Sequence, residues 1–245
     1  ARNVVTVHDI GFHRYPELYK PIQVAYHEAT TREIVKRCPR ILTVSEFSKR
    51  EIIDAYGAKA SQIVVTPLAI DHARLQPASL EAQEKVRTSY RLLQPFFCFI
   101  GRIEAKKNTG LLIEAWKRLI EDSSFTADLV LAGLPGKDFA RYQKEVENNP
   151  RLKERVHFTG YLPESQKAAL LSASIGYIHP AKYEGFGMPP LEALSCGTRV
   201  LCARTASLPE VVGEEQALWF DPLSVDALLA SIQACIHESP EVKQA

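Results

Sequence analysis

Ile175-Gly176-Tyr177-Ile178-His179-Pro180, followed by Tyr183-Glu184-Gly185-Phe186-Gly187-Met188-Pro189-Pro190-Leu191-Glu192-Ala193-Leu194, reads as a strand, a glycine-rich turn and a helix in succession. Pro189 and Pro190 suit the first helical positions, where the N–H that proline lacks has no intrahelical partner anyway. A strand that turns directly into a helix is one half of a parallel βαβ unit, and the same alternation continues on both sides. Short β-branched or aromatic runs fall at 3–7, 40–44, 62–66, 95–100, 127–132, 155–158, 175–178, 198–202 and 217–220, with segments of helical period filling most of the gaps. The fold class that follows is α/β, with doubly wound parallel sheets.

The stretch from Pro67 to Pro95, which carries Pro77 and the polar helix pattern of 80–91, divides three candidate strands from six. The expected domains are therefore 1–80 and 81–245. Six strands complete a doubly wound sheet, whereas three parallel strands leave exposed edges and half-covered faces. The first domain is expected to be a partial one, because residue 1 opens almost at once into a strand.

Composition narrows the function. The chain has 245 residues, 46% hydrophobic and 24% charged, and 30 basic residues balance 29 acidic ones to leave a net charge of +1. That balance argues against a nucleic-acid partner and against a polybasic membrane anchor. The longest uninterrupted apolar run, Phe96 to Ile100, is far short of the ~20 residues of a membrane span. The expectation is a cytoplasmic protein whose membrane contact is peripheral at most. The basic cluster of Lys36, Arg37 and Arg40 is accounted for by cations at a helix C-terminus. Cys38, Cys98, Cys196, Cys202 and Cys235 are widely spaced and mostly set in apolar segments, so they read as reduced core residues rather than disulfides or a zinc site.

Two loops carry candidate chemistry. The Glu184–Gly187 turn offers unpaired backbone N–H groups and a positive helix end, an arrangement that attracts phosphate. Glu184 and Glu192 flank it, and a carboxylate accepts two hydrogen bonds, as the adjacent hydroxyls of a ribose or hexose require. Glutamate in a first helical turn also simply complements the helix dipole, and both readings stay open here. The second loop, Gly101-Arg102-Ile103-Glu104-Ala105-Lys106-Lys107-Asn108, follows the strand at 95–100, with Asn108 expected to cap the next helix. Ligands of open parallel sheets bind beyond the carboxyl ends of strands, where both loops lie. Arg102 and Lys107 are cations suited to a diphosphate and to the charge that grows as one departs.

No Asp-x-Asp pair occurs, so these cations would replace a metal, and no metal or other cofactor is expected. His8, at the end of the first strand, could orient a substrate hydroxyl or simply bond to its neighbour Asp9. Ala132-Gly133-Leu134-Pro135-Gly136-Lys137 lacks the spacing and the Ser or Thr of a phosphate loop, and neither a Gly-x-Gly-x-x-Gly nor a Gly-x-Ser-x-Gly motif occurs.

With these residues laid out, the chain resembles the retaining glycosyltransferases of family 4, also called glycosyl transferases group 1, which have the two-domain GT-B fold. The resemblance runs over VHDIGFHRYPE, ILTVSEFSKREI, IVVTPLAID, FIGRIEAKKNTGLLIEAW, LVLAG, VHFTGYLP, YEGFGMPPLEALSCGTRVL and SLPEVVG. It implies that Glu184 contacts the donor sugar and Glu192 holds the nucleotide ribose. Arg102 and Lys107 would bind the donor diphosphate, and Gly185, Phe186, Gly187 and Met188 would form the loop that meets phosphate and sugar. It further places His8 near the transferred sugar, and Tyr161 and Leu162 near the nucleobase. The implied catalytic set is His8, Arg102, Lys107 and Glu184.

The implied reaction moves a hexose from a nucleoside diphosphate sugar to a hydroxyl acceptor, carbohydrate or lipid-linked, with retention, in polysaccharide or glycoconjugate synthesis. The HDIGFHRYPE stretch is similar to bacterial mannosyltransferases, which suggests GDP-mannose. Family members have more strands ahead of VTVHD and a further C-terminal helix, so a truncated N-terminal domain is expected, with acceptor specificity lying largely outside this sequence. A nucleotide-sugar-binding module without turnover and a nucleotide-sugar epimerase are the alternatives.

Overall fold

In a computed structural model of the chain, residues 3–238 are described. They fold in the order β1 (Val4–Thr6), α1 (Gly11–Arg14), α2 (Pro21–Arg37), β2 (Arg40–Thr43), α3 (Glu46–Tyr56) and β3 (Ile63–Val65). Next come α4 (Leu80–Tyr90), β4 (Phe96–Ile100), α5 (Thr109–Leu119), β5 (Asp128–Ala132), α6 (Phe139–Glu147), α7 (Pro150–Arg155), β6 (Val156–Gly160) and α8 (Glu164–Ser172). The chain continues through β7 (Gly176–His179), α9 (Met188–Ser195), β8 (Val200–Ala203), α10 (Leu208–Val212), β9 (Ala217–Phe220) and α11 (Val225–Glu238). Every strand lies within a run that the sequence marks out, give or take one or two residues at its end.

Contacts divide the chain into two compact units. One comprises Ala1–Ala69, Tyr183–Met188 and Thr205–Glu214, and the other Ile70–Lys182, Pro189–Arg204 and Glu215–Ala245. The sequence suggests a single boundary at 80/81; the contact division instead falls after Ala69 and gives two short later segments to the first unit.

The first unit is built on a parallel sheet in the order β1-β2-β3, with Val5 opposite Ile41 and Leu42 opposite Val64. Its core gathers Val7, Ile10, Phe12, Cys38, Ile41, Ile52, Ala58 and Ile63. Ser45 caps α3 by accepting the Ser48 N–H at 3.0 Å, and the Glu210 carboxylate from α10 takes the next free donors, Glu46 N at 2.7 Å and Phe47 N at 2.9 Å. Three of the four N–H groups that open a helix are thereby satisfied.

The second unit is a six-stranded parallel sheet in the order β6-β5-β4-β7-β8-β9. β5, β7 and β8 are buried throughout and β4 everywhere but its last residue, as strands covered on both faces must be. The apolar stripe of α5, Leu112, Ile113 and Trp116, is fully buried, and the Trp116 indole N–H donates to the Ala127 carbonyl at 3.2 Å. The strand order reverses between β4 and β7, which makes the carboxyl ends of these two strands the place where such a sheet takes a ligand. All five cysteines are free thiols and buried. Among the described residues no helix is long and apolar enough to cross a membrane.

Candidate functional site

The residues singled out fall into two groups. His8 and Glu184 to Met188 belong to the first unit; Arg102, Lys107, Tyr161, Leu162 and Glu192 belong to the second.

In the first unit, the turn that follows β7 is held by buried hydroxyls. Ser207 Oγ lies 2.8 Å from the Glu184 carbonyl oxygen and 3.1 Å from that of Phe186. Ser45 Oγ donates to the Gly185 carbonyl at 2.6 Å, and Ser48 Oγ stands 3.2 Å from the same oxygen. All three serines are buried. Among the described residues, no hydrogen-bond acceptor faces the N–H of Gly185, Phe186 or Gly187, although all three residues are buried. Three consecutive N–H groups with no protein acceptor are donors open to an anion or a hydroxyl.

Gly185 fits against the end of β1: a Cβ there would stand 2.7 Å from the His8 carbonyl oxygen and from the Asp9 Cβ. The Asp9 carboxylate accepts the Gly11 N–H at 2.8 Å, and His8 itself is exposed with no hydrogen-bond partner among the described residues. The local His8–Asp9 bond that the sequence allows is thus not formed. Tyr183 packs edge-on to Tyr15 at 5.9 Å and to Phe47 at 5.7 Å; burial, with Asp9 and Glu51 nearby, pushes its phenol well above the ordinary range, so it stays neutral.

In the second unit, the loop after β4 carries Arg102, exposed, and Lys107, half-buried. The loop after β5 braces it: Ile103 N donates to Leu134 O and Gly136 N to Ile103 O, both at 3.1 Å. This brace is the 132–137 segment, whose spacing is not that of a phosphate loop. Asn108 precedes α5 but does not cap it, a correction to the sequence reading. It sits at φ 58°, and its side-chain amide donates to Pro180 O at 3.0 Å and Pro222 O at 2.8 Å, joining the loops after β4, β7 and β9. Its amide finds two carbonyls brought near by the sheet, which no local spacing announces.

Glu192, on α9, receives Lys167 Nζ from α8 at 3.2 Å, and the same ammonium lies 3.0 Å from Glu164. Burial alone would lower the Lys167 pKa, yet the two carboxylates outweigh it and the net direction is upward. Lys167 therefore stays protonated around neutrality. Tyr161 is 64% exposed at the turn after β6, while Leu162 is buried, so only the tyrosine ring is open to a ligand. Among the described residues no group of His, Cys, Asp or Glu is arranged to hold a metal ion.

Two parallel α/β sheets, each in its own compact unit, define a protein of the GT-B type. Residues 83–245 match the model described as Glycosyl transferases group 1, and residues 1–74 match that described as Glycosyltransferase Family 4. The chain belongs to the glycosyl transferases group 1. It is 35% identical over 237 residues to O-antigen chain mannosyltransferase B of Escherichia coli, covering 97% of this chain and 62% of that protein. It is 26% identical over 215 residues to the MMP alpha-(1->4)-mannosyltransferase of Mycolicibacterium hassiacum, covering 87% of this chain and 49% of that one. The chain thus spans between about half and two thirds of the length of these relatives. Among solved structures, Alr3699/HepE of Anabaena in complex with UDP and glucose superposes with a TM-score of 0.80 at 21% identity, over 97% of this chain and 62% of that one. Sucrose-phosphate synthase of Thermosynechococcus elongatus does so with a TM-score of 0.79 at 22% identity, over 96% and 58%.

Proposed function

We propose that this chain carries the donor half of a retaining hexosyltransferase that draws on a nucleoside diphosphate sugar, GDP-mannose in the first instance, and works in polysaccharide synthesis. The observation that carries the reading is the row of open N–H donors at Gly185, Phe186 and Gly187. They stand in a turn at a helix N-terminus, where a phosphate or a sugar oxygen is the matching acceptor. Names borne by the relatives support the mannosyl choice, since two of them are mannosyltransferases.

In this reading Arg102 and Lys107 hold the diphosphate and take up the charge that develops on it as the anomeric bond breaks, the task a metal ion performs elsewhere. Glu192 accepts the ribose hydroxyls, Glu184 the sugar hydroxyls, and Met188 lines the same turn. Tyr161, with Leu162 behind it, lies against the base. His8 orients a hydroxyl of the sugar. The acceptor oxygen bonds to the anomeric carbon from the face the phosphate leaves, and the acceptor's proton passes to that departing phosphate oxygen, which gives retention with no enzymic nucleophile and no metal.

Calorimetry with GDP and UDP, beside a transfer assay from GDP-mannose in the presence of EDTA, tests this. Binding of GDP tighter than that of UDP, with metal-independent turnover, is the expected outcome. Binding without turnover would make the chain a nucleotide-sugar-binding module, and no binding of either nucleotide would end the reading. In an active form, Lys107→Ala is expected to cut kcat by about 10²- to 10³-fold, the usual cost of one group that stabilises developing negative charge.

A further inference from the structure

Ser45, Ser48 and Ser207 have no role in the proposal above, yet they touch three successive carbonyls of the turn. In a trans peptide the C=O and the N–H point in opposite directions, and the described chain has no cis peptide bond. The carbonyl of Glu184 shares its plane with the N–H of Gly185, that of Gly185 with Phe186, and that of Phe186 with Gly187. Ser207 lies against the first and third carbonyls, and Ser45 and Ser48 against the second. We infer that Ser45, Ser48 and Ser207 are positioning residues: by holding these carbonyls on one side, they fix the three N–H groups outward as a preorganised site for the donor diphosphate or its sugar.

Proton accounting supports a division of labour. Each serine has one hydroxyl proton. Ser45 spends its proton on Gly185 O at 2.6 Å while its oxygen accepts Ser48 N, so the cap of α3 and the anchor of the turn are one side chain. Ser48 Oγ lies 3.2 Å from Gly185 O and 3.1 Å from Ser45 Oγ, close enough to take over if Ser45 is lost. For the Glu184 carbonyl the reserve is Ser207's own backbone N–H at 3.4 Å, but among the described residues no second donor reaches the Phe186 carbonyl, so that anchor rests on the Ser207 hydroxyl alone. Glu210, the third residue of the helix that Ser207 precedes, reaches the first N–H groups of α3, which keeps Ser45 and Ser207 facing the same turn.

The inference rests on the nucleotide-sugar reading for its ligand but not for its geometry, and the test separates the two. Ser207→Ala, Ser48→Ala and Ser45→Ala/Ser48→Ala are compared with the unaltered chain, with Ser207→Cys keeping the shape where alanine does not fold. Ser207→Ala and the double variant are expected to weaken GDP about tenfold, the size of one lost buried hydrogen bond, and to leave guanosine binding unchanged. Ser48→Ala alone should stay within about twofold, because Ser45 remains. Equal losses for GDP and guanosine, or unchanged GDP binding in folded Ser207→Ala and Ser45→Ala/Ser48→Ala, would overturn the assignment.

If the unaltered chain binds neither GDP nor UDP, the transferase reading fails and the positioning claim is decided by ¹⁵N relaxation of the Gly185, Phe186 and Gly187 amides. Rigid values, S² near ~0.85, that fall in Ser207→Ala or Ser207→Cys support it; values that do not change refute it.

Discussion

Gly187 sits at φ +99°, a backbone region that L side chains rarely adopt, and a Cβ on it would lie 2.5 Å from Leu208 Cδ2. Gly185 has an ordinary backbone, but its missing Cβ admits the His8 carbonyl. The two glycines are therefore required for different reasons, and substitution should separate them. Gly187→Ala meets both strain and overlap and is expected to destabilise by about 2–4 kcal/mol, a fall of very roughly 4–16 °C in Tm. Gly185→Ala pushes the turn away from β1, so its larger effect is expected on ligand binding rather than on melting. Differential scanning calorimetry with GDP titration of both variants checks this, and an unchanged Tm for Gly187→Ala would contradict the strain argument.

At the scale of elements, the link between α8 and α9 is an ammonium shared by two carboxylates. The Lys167 pKa is raised on folding, so the stability it contributes is complete below the unfolded lysine value of about 10.4 and is lost as pH rises through the higher folded value. Lys167→Met is expected to melt below the unaltered chain at roughly pH 8 to 9, and the gap should close as pH rises past the unfolded lysine value of about 10.4; a gap that widened with pH would reverse the sign of the linkage.

In β4, burial pushes the Cys98 thiol up to about 12, and in the turn just after α9 burial followed by the Glu192 charge pushes Cys196 up to about 11. Neither is a thiolate at neutral pH. Native chain is expected to resist iodoacetamide at pH 8 at these positions and to react fully only once unfolded, as peptide mass spectrometry would register.

These elements were legible in the sequence because their signals are local: FFCFI and ADLVLA are apolar runs bounded by turns, and Leu112, Ile113 and Trp116 recur at helical spacing. The two site loops could be read for the same reason, since glycines, cations and carboxylates cluster within a few residues. What supports the loops could not be read. Ser45 announces a helix cap but not a bond to Gly185, which lies 140 residues on, and Asn108 announces a cap it does not make. Both depend on which carbonyl the tertiary fold delivers to a short polar side chain.

Over the whole molecule, burial is uneven in a way that should govern how it opens. The strands of the first unit are short and partly open, with Val4 59% and Val64 43% exposed, and α2 buries only Thr31 of its seventeen residues. The central strands of the second unit are buried on both faces. Protection from exchange follows buried apolar contact and the absence of solvent at backbone hydrogen bonds, so the two sheets should not share one opening free energy. Hydrogen exchange is expected to run at least about tenfold faster in 40–43 and 63–65 than in 128–132 and 200–203, a difference of ~1.4 kcal/mol or more in local stability. Urea unfolding followed by the two tryptophans, both in the second unit, should then lag behind loss of helix signal from the whole chain. Coincident transitions with uniform exchange would refute the separate opening free energies.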